Sequence, residues 1–288
     1  MQTMERPTVA PAQPPRHPAP WPIEFYRSAV GKKWVMAVTG ILLMAYVFVH
    51  MVGNLKVYFG AEDFNAYGEF LRELLVPLLP RTWTLWALRI GLIVAFVLHI
   101  HAAAALTLLN RRARAGQGYL ARRDWQAANA ASRSMRLTGV VLALFVVFHL
   151  ADLTWGTVNP DFVRGDVYRN LVASFERPVV SAIYIVANVA LGLHLFHGAW
   201  SMFQSLGINN PRWNSWRRSF AVGFASVVAI ANIIFPIAVL SGIVSADDNP
   251  DCLVRDGTIE TCELYETEPG EGSNSVQAQR GTAGEVGG

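Results

Sequence analysis

Residues 34–57 read WVMAVTGILLMAYVFVHMVGNLKV, and no Asp, Glu, Lys or Arg occurs before Lys56. A helix rises about 1.5 Å per residue, so about 20 such residues cross the hydrocarbon core of a bilayer. Four more segments of this kind follow: Thr82–Asn110, Leu137–Trp155, Pro178–Ser205 and Phe220–Val244. Each is bounded by charge, Pro or Gly clusters, as helix ends are. The expected fold is all-α, a polytopic membrane bundle of five transmembrane helices.

Composition agrees. Charged residues make up 16% of the 288, against about 25% in a soluble domain. Two cysteines cannot staple a chain of this length, which excludes a disulfide scaffold. The first apolar stretch is of membrane length and is preceded by a long polar leader, unlike a cleavable signal peptide. Three regions are expected: a Pro-rich cytoplasmic arm over 1–33, extended from Pro7 to Pro22; the five-helix domain over 34–244; and an acidic extracytoplasmic tail over 245–288. Phe64–Leu75 has the amphipathic pattern of an interfacial helix. No internal repeat is evident.

Lys and Arg counts in short loops set orientation. Fifteen cations lie in the N-terminal arm and in the connections after the second and fourth spans, and eight lie on the other side. The N-terminus is therefore expected inside and the C-terminus outside. Because the cations are sorted by loop, the formal charge of +3 points to membrane topology, with no nucleic-acid partner.

Six of the seven histidines fall inside spans: His50, His99, His101, His149, His194 and His197. Ionisable groups in hydrocarbon are expensive and mark function or a hydrogen-bonded packing role. Each of the first four spans carries at least one, which points to ligation. Direction fixes depth. His50 lies roughly 24 Å from the inner edge of the first span, and His149 is in the outer half of the third. His99 and His194 lie in the inner half, roughly 16 Å from that edge. Two pairs result, His50 with His149 outside and His99 with His194 inside, the arrangement for up to two b-type haems held by facing helices. His101 lies about 200° around the helix from His99 and belongs to another face. His197, one turn from His194, reads as a contact to a haem edge or quinone, or as packing. Arg89 and Asp152, also inside spans, read as a mutual ion pair or, for Arg89, as a haem-propionate partner.

The stretches GKKWVMAVTGILLMAYVFVHMVGNL, VLHIHAAAALTLLNRRAR, FHLADLTW and LGLHLFHGAWSMFQSLGINNPRW resemble the single-chain, five-helix b558-type cytochrome b subunit of succinate dehydrogenase/fumarate reductase. The resemblance covers roughly residues 25–244, and its HMxGNL and LHLxHGxWS runs are specific. It implies haem ligation by His50, His99, His149 and His194. It further implies partnership with a flavoprotein and an iron–sulfur subunit on the inner surface, succinate oxidation in the former, and electron delivery to quinone in the membrane. This chain would be a subunit with no catalytic residue for succinate. Candidate quinone contacts near the inner interface are Arg27, Ser28, Lys33, Trp34, His197 and Ser201; Trp34 also suits a plain interfacial anchor.

Cys252 and Cys262 lie outside this pattern. They read as a disulfide closing a short loop. Alternatively they are two thiolates that join the outer histidines in a Rieske-type [2Fe–2S] centre replacing the outer haem. Two other functions compete: the di-haem anchor of another respiratory oxidoreductase, and a proton-coupled transporter using histidine relays.

Overall fold

A computed structural model describes residues 20–113, 130–208, 210–246, 252–255 and 258–262. In chain order the helices are α1 (Trp21–Arg27), α2 (Ala29–Asn54), α3 (Ala61–Arg72), α4 (Trp83–Ala113), α5 (Ala130–Leu153), α6 (Val167–Phe175), α7 (Pro178–Ser205) and α8 (Asn214–Leu240). Five of them, α2, α4, α5, α7 and α8, are long and apolar enough to cross a membrane. The five expected spans are therefore present, and the chain is a multi-pass membrane protein.

The ends differ from expectation for local reasons. The first membrane helix starts at Ala29, five residues before Trp34, because Ser28 caps it by accepting from the Gly31 N–H at 2.9 Å. Its hydroxyl also donates to the Phe25 carbonyl at 2.7 Å, closing a tight α1–α2 corner. Gly31 is required in that corner, since a Cβ there would stand 1.9 Å from the Phe25 carbonyl oxygen. Trp21 and Pro22, the last residues assigned to an extended arm, open α1, where Pro suits the first turn. Residues 1–19 of that arm lie outside the described residues. The expected amphipathic helix at Phe64–Leu75 is α3, begun at Ala61.

Adjacent spans run antiparallel, so the bundle has a basic end, holding the start of α2 and the Arg111–Arg112 end of α4, and a far end. Helices α2 and α4 pack as one hairpin and α5 and α7 as another, with α8 laid against α7. Small residues allow that last contact. A Cβ on Gly192 would come within 2.9 Å of Ala229, and small residues let membrane helices approach closely. Large apolar side chains such as Leu144, Val147 and Val186 remain exposed, as a lipid-facing surface requires. The densest core is at the far end, where Val57, Phe64, Tyr168, Val172, Phe175, Tyr184 and Phe235 close together.

Two short amphipathic helices, α3 and α6, cover that end and are clasped by one side chain. Asn65 Oδ1 accepts from the backbone N–H groups of Val167 at 2.9 Å and Tyr168 at 3.0 Å, while its Nδ2 donates to Asp166 Oδ1 at 3.1 Å. Asp166 in turn caps α6 by accepting from the Arg169 N–H at 2.9 Å. One amide thus satisfies donors at the start of α6 from a helix a hundred residues earlier.

Asp152 does not pair with Arg89. Its carboxylate, wholly buried, takes the Arg177 guanidinium at 2.6 Å, and Arg89 lies over the Trp86 ring, 5.2 Å from the centroid. The expected partner lost because the α6–α7 junction brings Arg177 to Asp152. Arg177 also bonds the Val158 carbonyl at 2.7 Å.

The tail forms a second unit, Pro250–Gly288. Within it β1 (Cys252–Arg255) and β2 (Thr258–Cys262) pair antiparallel, with Cys252 opposite Cys262.

Replacing Asn65 by Ala orphans two part-buried donors and the Asp166 contact. Such losses cost about 1–3 kcal/mol, so N65A should lower the thermal unfolding midpoint of the detergent-solubilised protein. An unchanged midpoint would show that the clasp contributes little.

Candidate functional site

The four expected ligand histidines fall at two levels. His50 of α2 and His149 of α5 face each other near the far end, with ring centroids 5.9 Å apart and planes at 87°. His99 of α4 and His194 of α7 lie within electrostatic range of each other at the level of Thr39 and Thr138. Thr39 Oγ1 is 3.2 Å from His99 Nδ1, and Thr138 Oγ1 is 3.2 Å from His194 Nδ1. Each threonine stands 11 residues before the far-end histidine of its own helix, so the levels are about 16 Å apart.

These contacts favour one tautomer. A threonine in a helix donates its hydroxyl proton to a carbonyl one turn back. Thr39 gives its proton to Val35 O at 2.7 Å, and Thr138 gives its own to Ser134 O at 3.1 Å. Each oxygen is then left to accept from the imidazole, the arrangement in which Nδ1 carries the ring proton and Nε2 keeps its lone pair. Beside each threonine is a glycine facing the same ring. A Cβ on Gly40 would lie 3.4 Å from His99 Cε1, and one on Gly139 would lie 3.5 Å from His194 Cε1. Bare backbone therefore flanks the ring edge next to the lone-pair nitrogen, room that a flat macrocycle uses.

The matching contacts expose an internal repeat, contrary to the expectation of none. TGILLMAYVFVH over 39–50 aligns with TGVVLALFVVFH over 138–149. Each copy carries Thr-Gly at the basic-end level and His at the far-end level. Each is followed by an antiparallel helix whose histidine returns to the Thr-Gly. The signal was available as a Thr-Gly dipeptide at fixed distance before His, but only the cross-helix bond gives the dipeptide a role.

At the far end, His149 Nδ1 is 3.3 Å from the Tyr184 hydroxyl, which donates to Asp152 Oδ2 at 2.9 Å. Ser174 also donates to Asp152 Oδ2. His50 stacks on Tyr46, four residues earlier, at 5.5 Å. Tyr184, Ser174 and Arg177 are the site residues that sequence reasoning missed, since hydroxyls are common in such segments and Arg177 reads as a loop charge.

The other expected residues are not drawn into these pairs. His101 faces α1, with Tyr26 OH 2.5 Å from its Nδ1 and the two rings stacked at 5.8 Å. Arg27, Ser28, Lys33 and Trp34 lie at the basic end around the α1–α2 corner. Ser28 is engaged in capping there, and the Arg27 carbonyl accepts from Lys32 Nζ at 2.6 Å. His197 and Ser201 lie on the last turns of α7 at the same end, and Ser201 donates to Gly198 O at 3.2 Å. The side chains of Cys252 and Cys262 lie outside the described residues.

Among the described residues no group of three or more His, Cys, Asp or Glu converges as a metal site. Imidazoles in twos suit a metal whose other ligands come from a macrocycle, as in haem. An iron bonded to two ring nitrogens at about 2 Å sets the ring centroids about 6 Å apart, close to the separation of His50 and His149.

Comparison with curated proteins and with solved structures finds no match. A family model described as the succinate dehydrogenase/fumarate reductase transmembrane subunit matches residues 110–234. That stretch holds α5, α7 and most of α8, with Thr138, His149 and His194, and the internal repeat carries the same pattern back to Thr39, His50 and His99. The resemblance read from the motifs and this match, which covers under half of the chain, point to the same family of membrane subunits.

Proposed function

We propose that the chain passes electrons from an iron–sulfur subunit to quinone, as the membrane anchor of a succinate:quinone oxidoreductase. The observation that carries this reading is the two-level histidine ladder, with the Nδ1 protons of His99, His149 and His194 directed at hydroxyl acceptors. Bound haem would supply one-electron transfer between the levels. His99 and His194 would hold one haem at the basic end, and His50 and His149 the other at the far end. Levels about 16 Å apart put flat groups of haem size close together across the bilayer.

The protein's own residues do the rest. Thr39, Thr138 and Tyr184 orient the rings, and the apolar helix faces exclude water. Arg89, bound over Trp86 and within electrostatic range of Tyr46, is positioned to neutralise a carboxylate near His50. The basic end faces the cytoplasm under the positive-inside rule and supplies the cationic surface on which the flavoprotein and iron–sulfur subunits dock. Arg27, Ser28, Lys33, Trp34, His197 and Ser201, all at that end, are the pool from which quinone contacts are drawn, since quinone reduction needs donors to its carbonyl oxygens and a proton supply.

The alternative at the far end, a His-ligated [2Fe–2S] centre using Cys252 and Cys262, has a direct test. Low-field bis-imidazole haem signals of two kinds from the purified complex support the present reading. A single haem accompanied by a Rieske-type resonance would replace it.

Two outcomes are expected from substitution. H99A or H194A should abolish succinate-driven quinone reduction in the assembled complex while succinate oxidation with a soluble artificial acceptor survives. Quinone reduction persisting in both would contradict the basic-end assignment. T39V and T138V remove the Nδ1 acceptors and should weaken haem retention about 10–100-fold, measured as loss of α-band absorbance on dilution in detergent.

A further inference from the structure

The two histidine levels are held by different chemistry. At the basic end each Nδ1 proton meets a threonine whose own proton goes to a backbone carbonyl, a neutral chain that ends there. At the far end the chain from His149 runs through Tyr184 to a carboxylate. Tyr184 donates to Asp152 at 2.9 Å, so the phenol oxygen can only accept from His149 Nδ1. Asp152, wholly buried, also receives Ser174 and Arg177. Three donors fix the carboxylate in place.

The phenol is clamped as firmly. Its ring meets Phe175 edge-on at 4.8 Å, Phe145 at 5.0 Å and Phe148 at 6.0 Å, and the residue is 4% exposed. Its partners come from α5 and α6, and the α6–α7 junction holds its acceptor Asp152 through Arg177, so the far-end cap sets the position of one hydroxyl in the membrane. Packing alone would be served by Phe at this position. What the hydroxyl adds is a hydrogen-bond path from a buried anion to one imidazole.

From this geometry we infer that Tyr184, backed by Asp152, is a positioning residue for the far-end redox site. It holds His149 with Nδ1–H toward the phenol and Nε2 free as the donor nitrogen, and it passes part of the carboxylate's negative charge into the ring. A more basic imidazole favours the more positive, oxidised state of a bound metal, the usual effect of a carboxylate behind a ligating histidine. Arg177 offsets part of that charge, so the effect is modest in size. The inference rests on the haem reading proposed above.

The test is a redox titration of the intact complex bearing Y184F, followed by optical and low-temperature resonance spectra, with H50A identifying the far-end signal by its loss. The far-end midpoint should rise by about tenfold in the one-electron equilibrium constant, about 59 mV. Its g-tensor should change as the ring loses its anchor, and the basic-end midpoint should not move. Two unmoved midpoints and unchanged spectra in a fully loaded Y184F complex would overturn the inference and leave the haem reading standing. Absence of bis-imidazole signals from the wild-type complex would overturn both. If Y184F loses its far-end group, D152N/R177Q decides, because it keeps phenol and imidazole and removes the carboxylate together with the guanidinium that offsets it: a rise of the far-end midpoint alone supports the inference, and no rise overturns it.

Discussion

An imidazole in a bilayer must place its ring proton on an acceptor, and that requirement organises this bundle. Leaving a polar N–H unpaired in an apolar medium costs several kcal/mol, and water is excluded from the middle of the spans. For three of the histidines the acceptor is a hydroxyl on a neighbouring helix: Thr39 for His99, Thr138 for His194 and Tyr184 for His149. Each such bond fixes a helix pair in register and a ring in one tautomer. The α2–α4 and α5–α7 hairpins carry these bonds, which leave the Nε2 nitrogens of His99, His194 and His149 free at two levels.

The repeat gives this arrangement its economy. Thr-Gly followed 11 residues later by His occurs in α2 and again in α5. Each helix therefore serves both levels, with an acceptor at the basic end and a ligand candidate at the far end. The glycine keeps backbone bare beside the neighbouring ring. Helix α8, which has no histidine, packs along α7 through Gly192 and Ala229 and completes the bundle without entering either site. The far end is the more heavily built, since α3 and α6 close over it, with Ser174 of α6 and Arg177 of the α6–α7 junction meeting Asp152.

Much of this was legible before any coordinates. Segment length located the five spans, and the alternation of direction sorted the histidines by depth, because depth along a straight helix follows from counting residues. Asp152 shows where that reasoning stops. Its depth suggested Arg89, yet its partner is Arg177, which arrives through the path of the α6–α7 connection. Tyr184 was hidden for a similar reason, because a tyrosine in an apolar helix carries no sign of the neighbour its hydroxyl meets. The Thr-Gly repeat was visible in the letters, but five identities spread over 12 positions acquire meaning only when both threonines are found on imidazoles. The resemblance of the motifs and the family match over residues 110–234 name the same family of membrane subunits.

The central claim is that the histidines act in two specific pairs. Haem-to-protein stoichiometry of double variants tests it most directly. H50A/H149A and H99A/H194A should each retain one haem per chain, while the crossed variant H50A/H194A should retain none. One haem retained by the crossed variant, or equal loss in all three, would contradict the pairing.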